Sequence, residues 1–197
     1  ILMSSNITAV TQERFEKGMT YKDYIAQINV NKDRFAQYYE TVSDAITEQD
    51  TGFFKQAVEK GATRALVLGE DWCPDVYRGM PVIARIGDVS GMDIRIFPRD
   101  NNLDIMNEFL NNGEHQSIPV IVFYTSDQEY LCHWIERPAI ANKEMGEISA
   151  QLEKEMPGQD EQAIRQARRE KVTERFPSWQ KETVSELRAM LGQKLGL

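Results

Sequence analysis

The chain has 197 residues, 41% hydrophobic and 27% charged, with a formal net charge of −8 and a pI near 4.9. That length buries a self-sufficient core in one domain with room for helical additions, and the composition is that of an ordinary soluble globule. The acidic balance excludes a phosphate-coating surface, because such binding draws on clustered Lys and Arg to displace counterions, so nucleic acid and anionic membrane are not expected partners.

Residues 20 to 60 read as helical, since Phe35, Tyr38, Tyr39, Val42 and Ile46 recur at three- and four-residue intervals between acids and amides, and Gly61 closes the region. ALVLG, residues 65 to 69, is too short and too aliphatic for a surface helix and reads as a buried strand. Beyond Cys73, the residues Val76, Met80, Ile83 and Ile86 repeat at helical spacing as far as Gly87, and Pro81 among them predicts a kink near Tyr77 to Pro81. MDIRIF, residues 92 to 97, alternates as a strand does. LDIMNEFLNNG, residues 103 to 113, predicts a short helix with Gly113 at its end. IPVIVFY, residues 118 to 124, turns through TSDQE into YLCHWIE, residues 130 to 136, which makes a β-hairpin. Residues 139 to 155 form another helix, broken by Pro157 and Gly158. The tail, residues 160 to 195, is charged and helical, with an apolar row at Phe176, Trp179, Val184, Leu187 and Leu191 that docks back on the domain. This order predicts an α/β fold with a mixed central sheet, parallel strands joined by helices and an antiparallel pair appended, covered on both faces.

No apolar run approaches the ~20 residues that cross a bilayer, and no basic segment followed by an apolar one and a cleavage site opens the chain, which points to the cytoplasm. Met3 reads as a natural start, with residues missing upstream as the other reading. The two cysteines, Cys73 and Cys132, lie 59 positions apart, which argues against a disulfide framework. The only histidines are His115 and His133, and adjacent Cys132 and His133 point to opposite faces of a strand, so no metal site is expected.

One stretch stands apart. GEDWCPDVYRGMP, residues 69 to 81, sets a single thiol behind a tryptophan at a strand-to-helix junction. Strand, Trp72, Cys73, a helix carrying Pro81 eight positions later, and an Ile118-Pro119 dipeptide opening the hairpin: this succession resembles the thioredoxin fold over residues 62 to 155. The resemblance implies an active cysteine opening the first helix of that fold and a cis-proline facing it. The EDWCxD form, the stretch IFPRDNNLDIM and the helical N-terminal arm are similar to a bacterial branch of thioredoxin-like proteins with one active-site cysteine. It implies an N-terminal arm at 1–61, a thioredoxin-like core at 62–156 and a helical extension at 157–197, all in one structural domain. Two positions depart from the dithiol pattern. Val76 stands where a second cysteine would be, and Val67 where the dithiol enzymes carry a buried aspartate. The chain is therefore not a CxxC dithiol reductase.

Read from the residues, Cys73 sits at or beside a helix N-cap with Pro74 at the first helical position, where its missing N–H is not needed. The positive end of the helix dipole favours a thiolate and predicts a pKa below the ~8.5 of a free cysteine. Asp75 draws on the same dipole and repels that anion, so the thiol is expected to be a weaker acid than in a dithiol thioredoxin. Asp75 is either a simple first-turn acid, or a proton acceptor for the thiol or a polar contact to a partner. Trp72 reads as a packing residue that shields the thiol. Cys132, mid-strand, reads as inert packing. Pro119, with Ile118, is either an edge-strand proline or, through the resemblance, cis and set against Cys73, leaving backbone free to pair with an extended peptide. Arg99 and Asp100 follow a strand directly, where ligands gather, and a solvated turn explains them equally well; Arg99 would place positive charge near the thiolate.

Two functions compete. In one, the Cys73 thiolate attacks a disulfide, a glutathionylated protein or a peroxide, and an external thiol such as glutathione or bacillithiol resolves the mixed disulfide, making a monothiol disulfide oxidoreductase. Its partners would be proteins or low-molecular-weight thiols and disulfides, with no cofactor. In the other, the fold is a non-catalytic protein-binding module. Iron–sulfur ligation is disfavoured, because the CGFS-type loop is missing and one ligand alone is present.

Overall fold

The computed structural model describes residues 9–197, so the question of a start at Met3 lies outside the described residues. Four helices lead in: α1 (Gln12–Glu16), α2 (Tyr21–Gln27), α3 (Lys32–Ala45) and α4 (Glu48–Glu59). Threonine hydroxyls at 11, 20 and 47 accept backbone N–H bonds at the starts of α1, α2 and α4, satisfying donors that a helix leaves open. Then follow β1 (Arg64–Gly69), α5 (Pro74–Ser90), β2 (Asp93–Pro98), a single 3-10 turn at Arg99–Asn101, α6 (Leu103–Met106), β3 (Val120–Tyr124) and β4 (Tyr130–Ile135). Three helices close the chain: α7 (Ala139–Glu155), α8 (Glu161–Glu174) and α9 (Phe176–Leu195).

The sheet has four strands in the order β2-β1-β3-β4. β1 pairs parallel with β2 and antiparallel with β3, which pairs antiparallel with β4. Successive side chains of a strand point to opposite faces. In β1, Ala65 and Val67 on one face and Leu66 and Leu68 on the other are all fully buried, so both sides of the sheet centre are covered. That is the mixed α/β architecture expected from the sequence. None of the described helices is long and apolar enough to cross a membrane.

Two expectations need correcting. α5 does not stop at Gly87; it runs to Ser90 and is capped by Gly91. Gly87 stays inside because the helix lies tight on β2 there, where a Cβ would meet Ile94 Cγ1 at 2.4 Å. The helix expected over residues 103 to 113 is only Leu103–Met106. The chain turns there so that Phe109 is buried, and Asn111 exchanges backbone bonds with His115 through a turn in which Asn112 and Gly113 take φ values of 53° and 74°.

The C-terminal row docks as expected: Phe176, Trp179, Val184, Leu187 and Leu191 are buried, and α9 packs against α3, α4, α5 and β4. Each such side chain contributes about 1.5–3 kcal/mol of transfer free energy. Polar staples fix the orientation. Fully buried Gln180 donates to the carbonyls of Tyr38 and Arg78 at 2.9 and 3.0 Å, joining α9 to α3 and α5. Glu186 accepts from Trp134 Nε1 at 2.9 Å and from the Ala139 N–H at 2.8 Å, tying β4 and the start of α7 to α9.

Candidate functional site at the start of α5

β1 delivers the chain at Gly69 to a short turn, and Cys73 takes the N-cap of α5 with Pro74 at its first position. The Cys73 carbonyl accepts from the N–H groups of Val76 and Tyr77 at 3.0 and 3.1 Å, which starts the helix. The turn is fastened from two sides. Glu70 accepts from the Asp100 N–H at 2.8 Å, while Asp71 accepts from the N–H groups of Asn29 and Val30 at 2.9 and 3.3 Å. Asn31 completes the second clasp by donating to the Asp71 carbonyl at 2.9 Å. The two acids ahead of Trp72 thus pin the thiol's loop to the α2–α3 connection and to the turn after β2. Nothing in the spacing of the sequence identified those partners.

The thiol is half-buried, with Sγ 4.0 Å from the Ile118 carbonyl oxygen. The Ile118-Pro119 bond is cis, as the resemblance implied. Among the described residues, Ile118 makes no backbone-to-backbone hydrogen bond. Gly79 allows this approach, since a Cβ there would lie 3.2 Å from Pro119 Cγ.

The acidity of Cys73 differs from the sequence expectation. Burial pushes the thiol up from its ordinary value, and the charge of Asp75 adds to the rise; the N–H groups of Val76 and Asp75 and the charge of Arg78 only partly oppose them. A helix N-terminus stabilises a thiolate by tenths of a kcal/mol to about 1, and here that is smaller than the cost of taking the sulfur out of water beside a carboxylate.

Asp75 is engaged rather than free. Its Oδ1 meets Arg78 at 2.7 Å and its Oδ2 meets Arg137 at 2.8 Å. Arg78 is 1% exposed, with its guanidinium 5.0 Å from the ring of Phe176 and 5.4 Å from that of Trp179. Arg137 also pairs with Glu136 at 2.5 Å. With both oxygens taken, the carboxylate acts on the thiol through its charge. Arg78, Arg137 and Glu136 were not singled out in the sequence. Arg78, at i+3 from Asp75, was the one partner that helical spacing could have shown.

Trp72 is not packed: it is 52% exposed, and the Arg99 guanidinium lies 5.4 Å from its ring. Arg99 also pairs with Asp100 at 2.9 Å and donates to the Gln116 carbonyl at 3.1 Å. It therefore braces the turn after β2 against the segment before Pro119, and the cation that favours the Cys73 thiolate is Arg78. Cys132 pairs with Phe123 in the β3-β4 ladder, three positions from the Val120 pairing, or roughly 10 Å along the strand. Burial pushes its thiol up to about 11.

A strand, a half-buried N-cap cysteine and a facing cis-proline agree with what sequence comparison finds: residues 18–156 match the thioredoxin family. The chain belongs to the thioredoxin family. The match starts ahead of the 62–155 stretch on which the resemblance rested, taking in α2 to α4. No curated protein matches the sequence. Among solved structures, a protein of unknown function from Pseudomonas aeruginosa is similar at 16% identity with a TM-score of 0.66, covering 93% of this chain and 98% of its own. An HIV epitope scaffold is similar at 14% identity with a TM-score of 0.66, covering 93% and 99%. At such identities these likenesses show the fold alone.

Proposed function

We propose that this protein carries out monothiol thiol–disulfide exchange through Cys73, with an external thiol as resolver, on protein or low-molecular-weight disulfides in the cytoplasm. The observation that supports this reading is the position of Sγ: half-buried on the N-cap of α5, 4.0 Å from the Ile118 carbonyl, with Val76 rather than a second thiol one turn on. An extended substrate pairing with the Ile118 backbone would lie along the sulfur.

In the first step the Cys73 sulfur attacks one sulfur of a disulfide RS–SR′; the Cys73–SR bond forms, the S–S bond breaks, and R′ leaves as a thiolate that takes up the proton Cys73 gave up. In the second, an external thiolate attacks the R sulfur of the mixed disulfide, forming its own disulfide with R and returning Cys73 to the thiolate. The net change is exchange of one half of the disulfide, so no other oxidant or reductant is required. Replacement of Cys73 by Ser should abolish mixed-disulfide trapping from cell extract, whereas Cys132→Ser should leave it intact. The reverse pattern would refute the assignment.

The raised pKa of Cys73 favours a second reading, a non-catalytic protein-binding module that keeps the backbone beside Pro119 for docking. Alkylation of Cys73 across pH separates the two. Appreciable modification at neutral pH supports exchange, and a thiol that reacts only under alkaline conditions supports binding.

A further inference from the structure

A cavity of about 320 Å³ begins at Pro74, the residue after the thiol, and runs between the start of α5 and α8. Arg78, Arg137, Arg165, Arg168 and Arg169 line it, and among the described residues Asp75 is the only carboxylate in its wall. Asp75 and Glu136 neutralise part of the charge of Arg78 and Arg137, and Glu161 lies 3.5 Å from Arg165 across an exposed pair of little strength. Among the described residues, Arg168 and Arg169 have no carboxylate within ion-pair distance; Arg168 donates only to the Ser149 hydroxyl at 3.0 Å. In a chain of net charge −8 this is a local inversion of sign.

A second observation is independent of that count. Arg78, 1% exposed and part of the cavity wall, has an Nε donor without a partner among the described residues. Buried donors of this kind are costly unless something accepts from them. The rest of the wall includes Met145, Phe176 and Trp179, an apolar floor beneath the cations. A 320 Å³ cavity with that lining suits one small organic anion. α8 lies beyond residue 156, where the family match ends, so three of the five arginines in the wall, Arg165, Arg168 and Arg169, come from a helix outside the matched stretch.

We infer that this cavity binds the carboxylates of a small acidic thiol or of its disulfide, holding the molecule by its charge while its sulfur reaches Cys73. The inference rests on the exchange reading for the role of the sulfur, and on the cavity alone for the role of the carboxylates. Bidentate pairing with guanidinium explains why arginine rather than lysine fills the wall.

The test uses the full chain carrying Cys73→Ser, so that binding does not depend on thiol chemistry, with S-methylglutathione as the probe and calorimetry as the readout. S-methylglutathione should bind, and its dimethyl ester should bind about tenfold or more weakly. Arg168→Gln with Arg169→Gln, both exposed and both compatible with a helix, should weaken S-methylglutathione by a similar factor without changing the melting temperature. Equal binding of acid and ester, indifference to the double substitution, or no binding at millimolar concentration would each overturn the inference. So would inorganic phosphate binding where S-methylglutathione does not. Failure here with Cys73 trapping intact removes the anion cavity and leaves exchange standing; binding here without trapping removes exchange and leaves the cavity.

Discussion

Replacing Asp75 by Asn removes one charge and almost no volume, and it tests the ion-pair arrangement beneath the thiol. Asp75 is the carboxylate partner of a guanidinium that is 1% exposed. Breaking a buried pair on one side costs about 3–5 kcal/mol, because the remaining charge is stranded away from water. Arg78 would keep the Glu136 carbonyl at 3.4 Å and the faces of Phe176 and Trp179, and the Asn carbonyl would still accept a bond, so the lower end applies, about 3 kcal/mol. For a chain of this size that is a fall in melting temperature of about 6–12 °C. The same substitution removes the repulsion that helps hold the Cys73 thiol up and leaves Arg78 less neutralised, so both changes make the thiol more acidic. Thermal unfolding and a pH series of Cys73 alkylation read the two effects on one sample. A variant that melts with the parent and whose thiol titrates with the parent would refute the reasoning, because Asp75 would then be neither the partner of Arg78 nor a neighbour of the sulfur.

Two further outcomes are expected. Burial holds both thiols protonated in the folded state, so their contribution to stability is complete below the ordinary thiol pKa and is lost as pH rises through the folded values, about 11 for Cys132. The urea midpoint should fall as pH rises above about 9, and the fall should be shallower in Cys132→Ala; a midpoint flat to pH 11 would contradict the burial of both sulfurs. Gly79→Val places branched methyls against Pro119, already 3.2 Å from the position of a Cβ, and should destabilise by about 1–3 kcal/mol in urea titrations while speeding Cys73 alkylation as Pro119 is displaced.

The architecture was legible in the sequence because its signals are periodic. The aliphatic runs at 65 to 69 and 118 to 124 became the two central strands, and the apolar row from Phe176 to Leu191 became the buried side of α9. The short apolar cluster at 103 to 113 misled because Ile105, Met106 and Phe109 satisfy helical spacing whether the backbone stays helical or turns to bury the last of them. At the site, Cys73 and Pro74 were legible from local rules of helix starts. The tuning of the thiol was not, since it depends on burial and on a guanidinium that is paired with residue 75 and faced by the rings of 176 and 179. Trp72 likewise looked like packing because tryptophan usually is, and only the fold shows Arg99 rather than a core lying against it.

The C-terminal helices therefore do more than cover the domain. Phe176 and Trp179 on α9 stand over the Arg78 guanidinium, Gln180 binds the Arg78 carbonyl, and Arg78 in turn faces Asp75 and the sulfur. Each link is short-range, and together they fix in place the guanidinium whose charge partly offsets the rise in the Cys73 pKa. The family match ends before α8 and α9 begin, so Asp75 and Arg78 lie inside the matched stretch while the rings and the amide that hold Arg78 come from beyond it. On this argument the single cysteine and the long tail are linked through Arg78: the chain lacks the second thiol that would complete a dithiol site, and its tail supplies the rings and the amide that hold the cation nearest the first.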